Sequence, residues 1–353
     1  MTPIVTSYGT ETGRNFLFVH IIGDESEGWG ECVALTDPLY SSEFIDGADE
    51  VIRRYLLPMV KRETTSREFA ERAVSINGHH MAKAAVESAL LDYELRAKGE
   101  SLARFIGATR ENVPTGVAVG IHSSIDGLLE TVKRHLDEGY QRIKIKIDRG
   151  YDIEPVRALR EAFGLGFLLQ VDANSAYSLE DAAHLAQLDQ FKLLFIEQPF
   201  AQDDLISHVA LAKQIQTSVC LDESISSFDL ARTAIEIGAC SVINVKPGRV
   251  GGLFEAVKIH DYCVQHNVAM WCGGMYETGI GRAMNIAFAA LPGCTLPGDI
   301  SASGRYFVED VTEPFVMVDG HIEVPTGPGI GVSPRPEMLE GTATSRDVVT
   351  VAP

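Results

Sequence analysis

Five polar residues recur at nearly equal intervals along the middle of the chain, each within a short apolar segment. The segments read IKIKI, LLQVDAN, LLFIEQP, VCLDES and VINVKP. The five residues are Lys146, Asp172, Glu197, Asp222 and Lys246. The successive intervals between them are 26, 25, 25 and 24 residues. A strand, a helix and two turns together occupy about 25 residues. The spacing therefore predicts one polar residue at the same height on five successive parallel strands.

The alternation of strand and helix patterns indicates one large α/β unit. Eight strand segments lie between Val113 and Asp299, and they read GVAVGI, RIKIKI, FLLQV, LLFIE, SVCLD, SVINV, VAMWC and CTLPGD. The segments between them show the apolar spacing of amphipathic helices. Eight parallel strand–helix units over about 200 residues are typical of a closed barrel rather than an open sheet. We therefore predict a TIM-like (β/α)8 barrel at residues 113–311.

The residues on either side of this unit are organised differently. Residues 14–35 read as an antiparallel strand pair with a Gly-containing turn, and residues 42–99 follow a helical pattern that stops at Gly99. Strands followed by helices, rather than alternating with them, are typical of an α+β domain. We predict an α+β capping domain at residues 1–112, completed by a C-terminal segment at about residues 312–353.

Charge and composition exclude several classes of partner. The net charge of −19 argues against nucleic acid or an anionic membrane, because both require a basic surface. We expect a small-molecule substrate instead. The first residues, MTPIVTSYGTETG, lack the charged and apolar regions of a secretory signal, and no apolar stretch reaches the roughly 18 residues of a membrane span. Six scattered cysteines without a CxxC pair read as buried free thiols, so we expect a cytoplasmic protein.

Side-chain alternation along IKIKI separates its lysines from its isoleucines. Ile143, Ile145 and Ile147 are expected to face the helices, and Lys144 and Lys146 to face the barrel axis. Two lysines inside a barrel are costly unless an anionic or functional group meets them. We therefore predict a functional role for both; the alternative is a solvated strand end.

Three carboxylates stand at the ends of neighbouring apolar segments, where catalytic groups of this kind of barrel lie. Brought together, Asp172, Glu197 and Asp222 would repel one another unless a cation neutralised them. Oxygen ligands without Cys or His favour Mg2+ or Mn2+ over zinc. Any one of the three, taken alone, could instead pair with a lysine or cap a helix. The set predicts a divalent-metal site between two candidate bases, an arrangement suited to removing a proton next to a carboxylate.

Lys246 ends the segment VINVKPG and is expected to face Lys146 across the metal strands. A divalent cation and a second lysine nearby would lower its pKa and make it usable as a neutral base. Arg249, three residues later, would add positive charge and could lower that pKa further. We also place Arg249 among the candidate substrate-binding residues.

These motifs together resemble those of a known family. The set KIKI, VDAN, IEQP, LDES, NVKPGRVGG and CGGMYETGIGRAMN resembles the enolase superfamily, and more narrowly its muconate-lactonizing-enzyme-like branch. Within that branch it is similar to the o-succinylbenzoate synthase / N-succinylamino acid racemase group. The resemblance implies a modified (β/α)7β barrel with a capping domain, a divalent metal such as Mg2+, and a homo-oligomer. Members of the family usually carry one more strand before the segment matching PIVTSYGT, so we expect either a shorter cap sheet or a truncated start.

The resemblance also implies a role for each matching residue. Asp172, Glu197 and Asp222 match the metal ligands, and Lys146 and Lys246 match the acid/base pair. Lys144 would stay protonated and bind the substrate carboxylate. The other matching substrate positions are Asn174, Gly274, Met275 and Tyr276. Two cap-domain loops, Thr6 to Thr10 and Leu35 to Tyr40, would close over the site.

The function predicted in this way is abstraction of an α-proton to give an enediolate. We expect an N-succinylamino acid (N-acylamino acid) racemase that also dehydrates its substrate as an o-succinylbenzoate synthase of menaquinone biosynthesis. The alternatives are a dedicated o-succinylbenzoate synthase, or a dipeptide epimerase or cycloisomerase of the same branch. Outside the family, the lysines could form Schiff bases in an aldolase-type barrel, or the chain could be a binding scaffold without turnover.

Overall fold

The described part of the chain opens with a short antiparallel hairpin. The computed structural model describes residues 4–6, 9–11 and 13–350, and its first strands are β1 (Ile4–Thr6) and β2 (Gly9–Glu11). The predicted first cap-domain loop, Thr6 to Thr10, lies partly outside these residues.

The next two strands and four helices form the cap. Strands β3 (Leu17–Ile22) and β4 (Glu27–Cys32) pair antiparallel, which confirms the prediction for residues 14–35. The helices that follow are α1 (Ile45–Val51), α2 (Ser66–Ala73), α3 (His80–Lys98) and α4 (Leu102–Phe105). A π-helical turn (Ile52–Leu56) and a 3-10 turn (Leu57–Met59) extend α1. As predicted, α3 stops at Gly99, whose φ of +66° favours glycine.

Two glycines let α3 lie directly on β4. A Cβ atom on Gly28 would collide with the backbone oxygen of Ala89, and one on Gly30 would collide with that of Ala85. Close approach of a helix to a strand therefore requires glycine at both positions. The motif GWGEC thus fixes how the cap packs.

Seven parallel strands in chain order form the barrel sheet, after a separate strand β5 (Asn112–Pro114). They are β6 (Gly116–Val119), β7 (Arg142–Lys146), β8 (Leu168–Asp172), β9 (Ile196–Glu197), β10 (Val219–Leu221), β11 (Val242–Val245) and β12 (Ala269–Cys272). The helices between and after them are α5 (Ile125–Asp137), α6 (Ile153–Phe163), α7 (Ala182–Leu185), α8 (Leu205–Ala212), α9 (Phe228–Glu236), α10 (Leu253–His266) and α11 (Gly279–Ala289).

The eighth predicted strand, CTLPGD, is not a regular strand. Single parallel bridges join Cys294 to Met270 and Gly298 to Thr115, so this segment still connects the seventh and first barrel strands. Pro297 has no N–H to donate to a ladder, which shortens the pairing. At the start of the predicted barrel, β5 pairs with β14 and the first strand of the barrel sheet is β6. The fold is nevertheless the predicted TIM-like barrel with an α+β cap.

The C-terminal part of the chain returns to the cap and to β5. Its elements are β13 (Met317–Val318), β14 (His321–Glu323) and α12 (Pro336–Thr342). Strand β14 pairs antiparallel with both β13 and β5. The amide of Ile330 donates to the buried carboxylate of Asp92 on α3 at 2.7 Å.

The register of the sheet shows how the five spaced residues reach one end of the barrel. Lys146 pairs with Asp172, Asp172 with Glu197, and Glu197 with Cys220 rather than Asp222. Cys220 in turn pairs with Val242, four residues before Lys246. The predicted equal height is therefore wrong in terms of register. Barrel strands tilt and stagger, which brings later residues of successive strands to the same end.

The side chains of these strands alternate as predicted, and the cysteines are free. Ile143 and Ile145 are fully buried in the main core, which includes residues of the helices around the sheet. All six cysteines are unpaired, and all but Cys240 are buried. Within the described residues, no helix is both long and apolar enough to cross a membrane.

Candidate active site

A cavity of about 350 Å³ lies at the carboxyl ends of the barrel strands, and residues 35–37, 39 and 40 of the cap line part of it. The predicted site residues that line this cavity are Lys144, Lys146, Asp172, Asn174, Asp222, Lys246, Gly274, Met275 and Tyr276. Glu197 and Arg249 lie behind the lining and are 0% and 3% exposed. The cavity thus brings together side chains from the barrel and the cap.

Lys146 stands at the end of β7, between a carboxylate and an amide. Its Nζ donates to Asp172 Oδ2 at 2.7 Å and to Asn174 Oδ1. The amide side chain of Asn174 in turn donates to Glu223 Oε1 at 2.8 Å. These contacts fix one amine at one side of the cavity.

Lys144 lies deeper and is surrounded by three carboxylates. Its Nζ is 2.6 Å from Asp299 Oδ2 and 3.3 Å from both Asp172 Oδ2 and Glu197 Oε2. The indole ring of Trp271 lies 5.1 Å from the same amine. Burial alone would lower the pKa of Lys144, but the three carboxylates outweigh it and raise the pKa. The direction of this shift favours the protonated form that the resemblance implies.

Lys246 lies at the end of β11 on the other side of the cavity. Its Nζ donates to Asp222 Oδ2 at 2.9 Å and to the Tyr40 hydroxyl at 3.0 Å. Arg249 donates to the other oxygen of Asp222, to Tyr40 at 2.8 Å, and to the backbone oxygens of Asn244 and Ile225. Arg249 therefore contacts Asp222 and Tyr40 from behind the cavity lining, and its predicted role in substrate binding stays a prediction.

The pKa of Lys246 lies above its usual range. Burial lowers it, but Tyr40 and Glu223 outweigh burial and raise the pKa in the metal-free protein. The predicted effect of Arg249 is not among the main causes, because its guanidinium is paired with Asp222. The lowered pKa was expected beside a bound divalent cation, which would act on the same carboxylates.

The three predicted metal ligands are buried and lie on neighbouring strands, yet they do not form a compact cluster. Within residues 13–350, no three His, Cys, Asp or Glu side chains are gathered in metal-binding geometry. Lysine and arginine side chains contact oxygens of Asp172, Glu197 and Asp222 instead. This pairing matches the alternative that the sequence left open for each carboxylate.

The chemistry of these ligands nevertheless fits a divalent cation. Glu197 is enclosed by Gln170 and Asn244, which donate to its two oxygens at 3.0 and 2.9 Å. Burial, followed by repulsion from Asp172, raises the pKa of Glu197. A divalent cation would relieve both effects, and buried oxygen-only ligands suit Mg2+ or Mn2+. The residues present therefore fit the metal that the resemblance implies.

Asp299 is a site residue that the sequence reasoning did not single out. It lines the cavity, bonds to Lys144, and pairs with the buried Arg142 at 2.7 Å. Burial would raise its pKa, but Arg142 and Lys144 hold the pKa well below its usual range. The signal was its place at the end of the predicted eighth strand, although no second motif accompanied it.

Tyr40 and Glu223 were also missed as individual residues. Tyr40 was predicted only as the end of a cap loop, whereas its hydroxyl contacts Lys246 and Arg249. Glu223 is buried beside Asn174, and burial followed by repulsion from Asp172 raises its pKa. Its position directly after a predicted metal ligand could have indicated this.

The loop after β12 contributes the predicted residues Gly274, Met275 and Tyr276 to the cavity wall. The cap residue Arg14 donates to the Met275 carbonyl and, at 2.6 Å, to that of Val33. Tyr276 has a φ of +61°, which is strained for a non-glycine residue. Cap contacts therefore fix the shape of this wall.

A TIM-like barrel with an α+β cap, and with lysines on strand β7 and directly after strand β11 facing one cavity, is the architecture of an enolase-superfamily enzyme. The sequence matches the mandelate racemase / muconate lactonizing enzyme N-terminal domain over residues 1–107 and the enolase C-terminal domain-like family over residues 127–338. The chain therefore belongs to the mandelate racemase / muconate lactonizing enzyme family of the enolase superfamily, which confirms the resemblance.

Within this family, the chain is similar to N-succinylamino acid racemases and o-succinylbenzoate synthases. The chain is 52% identical over 348 residues to an N-succinylamino acid racemase of an Amycolatopsis species, covering 98% of this chain and 95% of that protein. It is 45% identical over 352 residues to an o-succinylbenzoate synthase of Bacillus subtilis (strain 168), covering 99% and 94%. A crystal structure of an enolase-superfamily member from Listeria innocua superposes with a TM-score of 0.94 at 41% identity, covering 98% and 94%. One of the two named enzymes is an isomerase and the other a lyase.

Proposed function

We propose that the protein removes the α-proton of an N-succinylamino acid and returns it on either face, as an N-acylamino acid racemase. We propose that the same site also dehydrates the precursor of o-succinylbenzoate. The observation that carries this proposal is the position of two amines in one cavity: Lys146 ends β7, Lys246 follows β11, and three strands lie between these two. Amines on opposite sides can serve the two faces of one planar carbon.

We propose that Lys144, the third lysine of the cavity, binds the substrate carboxylate. Lys144 is protonated and buried, and it lines the same cavity as the two other lysines. A substrate carboxylate that enters the cavity would find this fixed positive charge. A charge held there in advance is most effective where negative charge increases during the reaction.

We propose that Asp172, Glu197 and Asp222 bind Mg2+, with Mn2+ as a possible substitute. Such a cation, when bound, stabilises the negative charge that develops on the substrate carboxylate as the proton leaves. The carboxylate oxygens of Asp172 and Asp222 that would bind it now contact Lys146 and Lys246. Metal binding would therefore compete for the oxygens that restrain both amines.

Two reactions follow from the same residues. In racemisation, one lysine removes the α-proton and the opposite lysine, protonated, donates to the other face. In dehydration, Lys146 returns the abstracted proton to a departing β-hydroxyl group, and Lys246 remains a cation. Only racemisation therefore requires Lys246 as a base.

The position of Arg249 favours racemisation as the main function, ahead of dehydration alone. It pairs with one oxygen of Asp222, whereas Lys246 bonds to the other oxygen. Arg249 thereby shares Asp222 with Lys246, the lysine that only racemisation requires as a base. A dedicated o-succinylbenzoate synthase of menaquinone biosynthesis is the second candidate, favoured by the 45% identity to the B. subtilis enzyme.

We also propose that the protein works in the cytoplasm as a homo-oligomer. The six unpaired cysteines suit a reducing compartment. Gel filtration with light scattering would measure the oligomeric state, and a monomer at working concentration would contradict that part.

Stereospecific proton exchange tests the proposed function. Lys146→Ala and Lys246→Ala should each abolish exchange of the α-proton of one enantiomer of N-succinylphenylalanine in D2O, followed by NMR, and should do so for opposite enantiomers. The enantiomer served by the remaining lysine should still exchange. Equal losses for both enantiomers would contradict the assignment of the two faces.

A steady-state comparison separates the two candidate functions. Racemisation and dehydration measured in one preparation should both exceed background, and Lys246→Ala should reduce racemisation far more than dehydration. A wild-type protein that dehydrates but does not racemise would favour the dedicated synthase. EDTA should abolish both activities and Mg2+ should restore them; borohydride trapping of a carbonyl substrate would point to an aldolase instead.

A further inference from the structure

Gln198 directly follows Glu197 and uses the whole hydrogen-bonding capacity of its side chain. Its Oε1 accepts from the backbone amides of Asp222 at 3.0 Å and Ser224 at 3.2 Å. Its Nε2 donates to Ser224 Oγ at 2.8 Å and to the Phe200 carbonyl at 3.0 Å. The residue is 0% exposed, so water cannot replace any of these four bonds.

The backbone of Gln198 extends the same connection to the neighbouring strands. Its amide donates to the carbonyl of Cys220 on β10 at 2.9 Å. Its carbonyl accepts from Ser175, in the turn after β8, at 2.8 Å. One residue therefore joins the turns that follow β8, β9 and β10. Each of these strands carries or precedes one of the proposed metal ligands.

The turns joined in this way are strained. Asn174, Ser175 and Gln198 have φ angles of +40°, +66° and +37°, and none of them is glycine. Backbone in this region persists only where surrounding contacts determine it, and such residues cluster at functional sites. The hydrogen bonds of Gln198 are contacts of that kind.

We propose that Gln198 is a positioning residue that sets the relative placement of the carboxylates of Asp172, Glu197 and Asp222, and thereby the affinity for a divalent cation. This inference rests on the proposed function. Gln198 does not line the cavity, so it would act through its hydrogen bonds to the ligand-bearing turns.

The side-chain amide of Gln198 both accepts and donates hydrogen bonds, and other side chains of similar size cannot do both to the same extent. Methionine would fill a similar volume but would leave the amides of Asp222 and Ser224 without an acceptor. Glutamate, protonated in this buried place, would keep that acceptor and would offer one donor instead of two. The two substitutions therefore remove different numbers of hydrogen bonds while the volume of the side chain stays nearly constant.

The test measures Mg2+ binding directly. Isothermal titration of the metal-free protein with Mg2+ should give a dissociation constant about 10–100-fold weaker for Gln198→Met than for the wild type, with a smaller change for Gln198→Glu. The Mg2+ concentration for half-maximal α-proton exchange should rise in parallel, whereas kcat at saturating Mg2+ should fall by much less.

Val219→Ala is the matched control. Val219 lies on β10 and is buried, and its apolar side chain cannot form any of the hydrogen bonds that Gln198 forms. It should lower the melting temperature without changing Mg2+ affinity. A Gln198→Met protein that binds Mg2+ as tightly as Val219→Ala would overturn the inference; if that variant fails to fold, Gln198→Glu decides by the same criterion.

The wild-type titration separates the role of Gln198 from the proposed metal site. Wild-type protein that neither binds Mg2+ nor needs it for exchange would overturn the proposed metal function, and the role of Gln198 with it. Wild-type protein that binds Mg2+ while both Gln198 variants bind it equally well would overturn the role of Gln198 alone.

Discussion

Glu31, on cap strand β4, accepts hydrogen bonds from both the backbone amide and the hydroxyl of Thr278, at 3.1 and 2.6 Å. The same carboxylate accepts from the amide of Gly281 at 3.0 Å. Thr278 directly follows the loop that carries Met275 and Tyr276, and it precedes α11. A cap side chain therefore fixes the end of a cavity wall that belongs to the barrel.

This contact predicts a dependence of stability on pH. Burial is the main cause that raises the pKa of Glu31 from 4.5 to about 7, and Glu277 adds to it, while Thr278 and Arg14 oppose it. Because the folded protein keeps the proton longer, the stability from this group is complete below pH 4.5 and is lost as pH rises through about 7. The loss is on the order of 3 kcal/mol, at about 1.4 kcal/mol per pKa unit.

Glu31→Gln should remove that part of the slope. Urea unfolding at pH 4 and pH 8 should show a difference in unfolding free energy that is smaller in the variant than in the wild type. Some slope should remain, because burial raises the pKa of Glu87 to about 8 as well. Identical slopes in the two proteins would contradict the shifted pKa of Glu31.

Asp222→Asn should weaken Mg2+ binding at least tenfold and reduce activity by orders of magnitude, because an amide oxygen carries no charge to neutralise the cation. Calorimetric titration with Mg2+ measures the first effect independently of turnover. Asp92→Asn, which alters a buried aspartate in the cap, is the matched control and should leave Mg2+ affinity unchanged. Unaltered affinity in Asp222→Asn would remove Asp222 from the ligand set.

Asp299→Asn should destabilise the barrel strongly. The substitution leaves the buried Arg142 without the carboxylate that now contacts it at 2.7 Å, whereas Lys144 keeps Asp172 and Glu197 as partners. Breaking a buried ion pair on one side costs about 3–5 kcal/mol, because the remaining charge stays uncompensated. Denaturant unfolding at constant pH measures the change. A loss below about 1 kcal/mol would show that water or another group compensates Arg142.

Gly30→Ala should disturb the packing of the cap. The added methyl group would meet the backbone oxygen of Ala85 on α3, which cannot move without displacing the helix. A loss of about 1–3 kcal/mol or more is expected from overpacking of this kind. Thermal unfolding measures it, with Gly166→Ala as control, because a Cβ atom there meets nothing within 4 Å. Equal melting temperatures in the two variants would contradict the close approach of helix and strand.

Sequence periodicity was sufficient to predict those structural features that follow from one regular repeat. Alternation along β7 correctly predicted that Ile143 and Ile145 face the core while Lys144 and Lys146 face the cavity. The repeat of about 25 residues predicted the barrel and brought Asp222 to the same cavity as both lysines. These features depend only on neighbouring residues and on chain length between strands.

Features that depend on tertiary context were not accessible in the same way. The stagger between Glu197 and Asp222 arises from the tilt of barrel strands, which no single segment encodes. Asp299 follows Pro297 and Gly298, so no strand period marked it. The predictions for Arg249 rested on its place three residues after Lys246, whereas its side chain has as partners a carboxylate and a phenol from distant parts of the chain.

The pairing of β14 with β5 has a consequence for how the chain is made. Strand β5 is the link that leads from the cap into the barrel, and its partner is translated only after the whole barrel. A ribosome must therefore release every barrel strand before this link can reach its final pairing. During synthesis β5 therefore connects the cap and the barrel without its partner strand, and β14 adds its hydrogen bonds to β5 only at the end of translation.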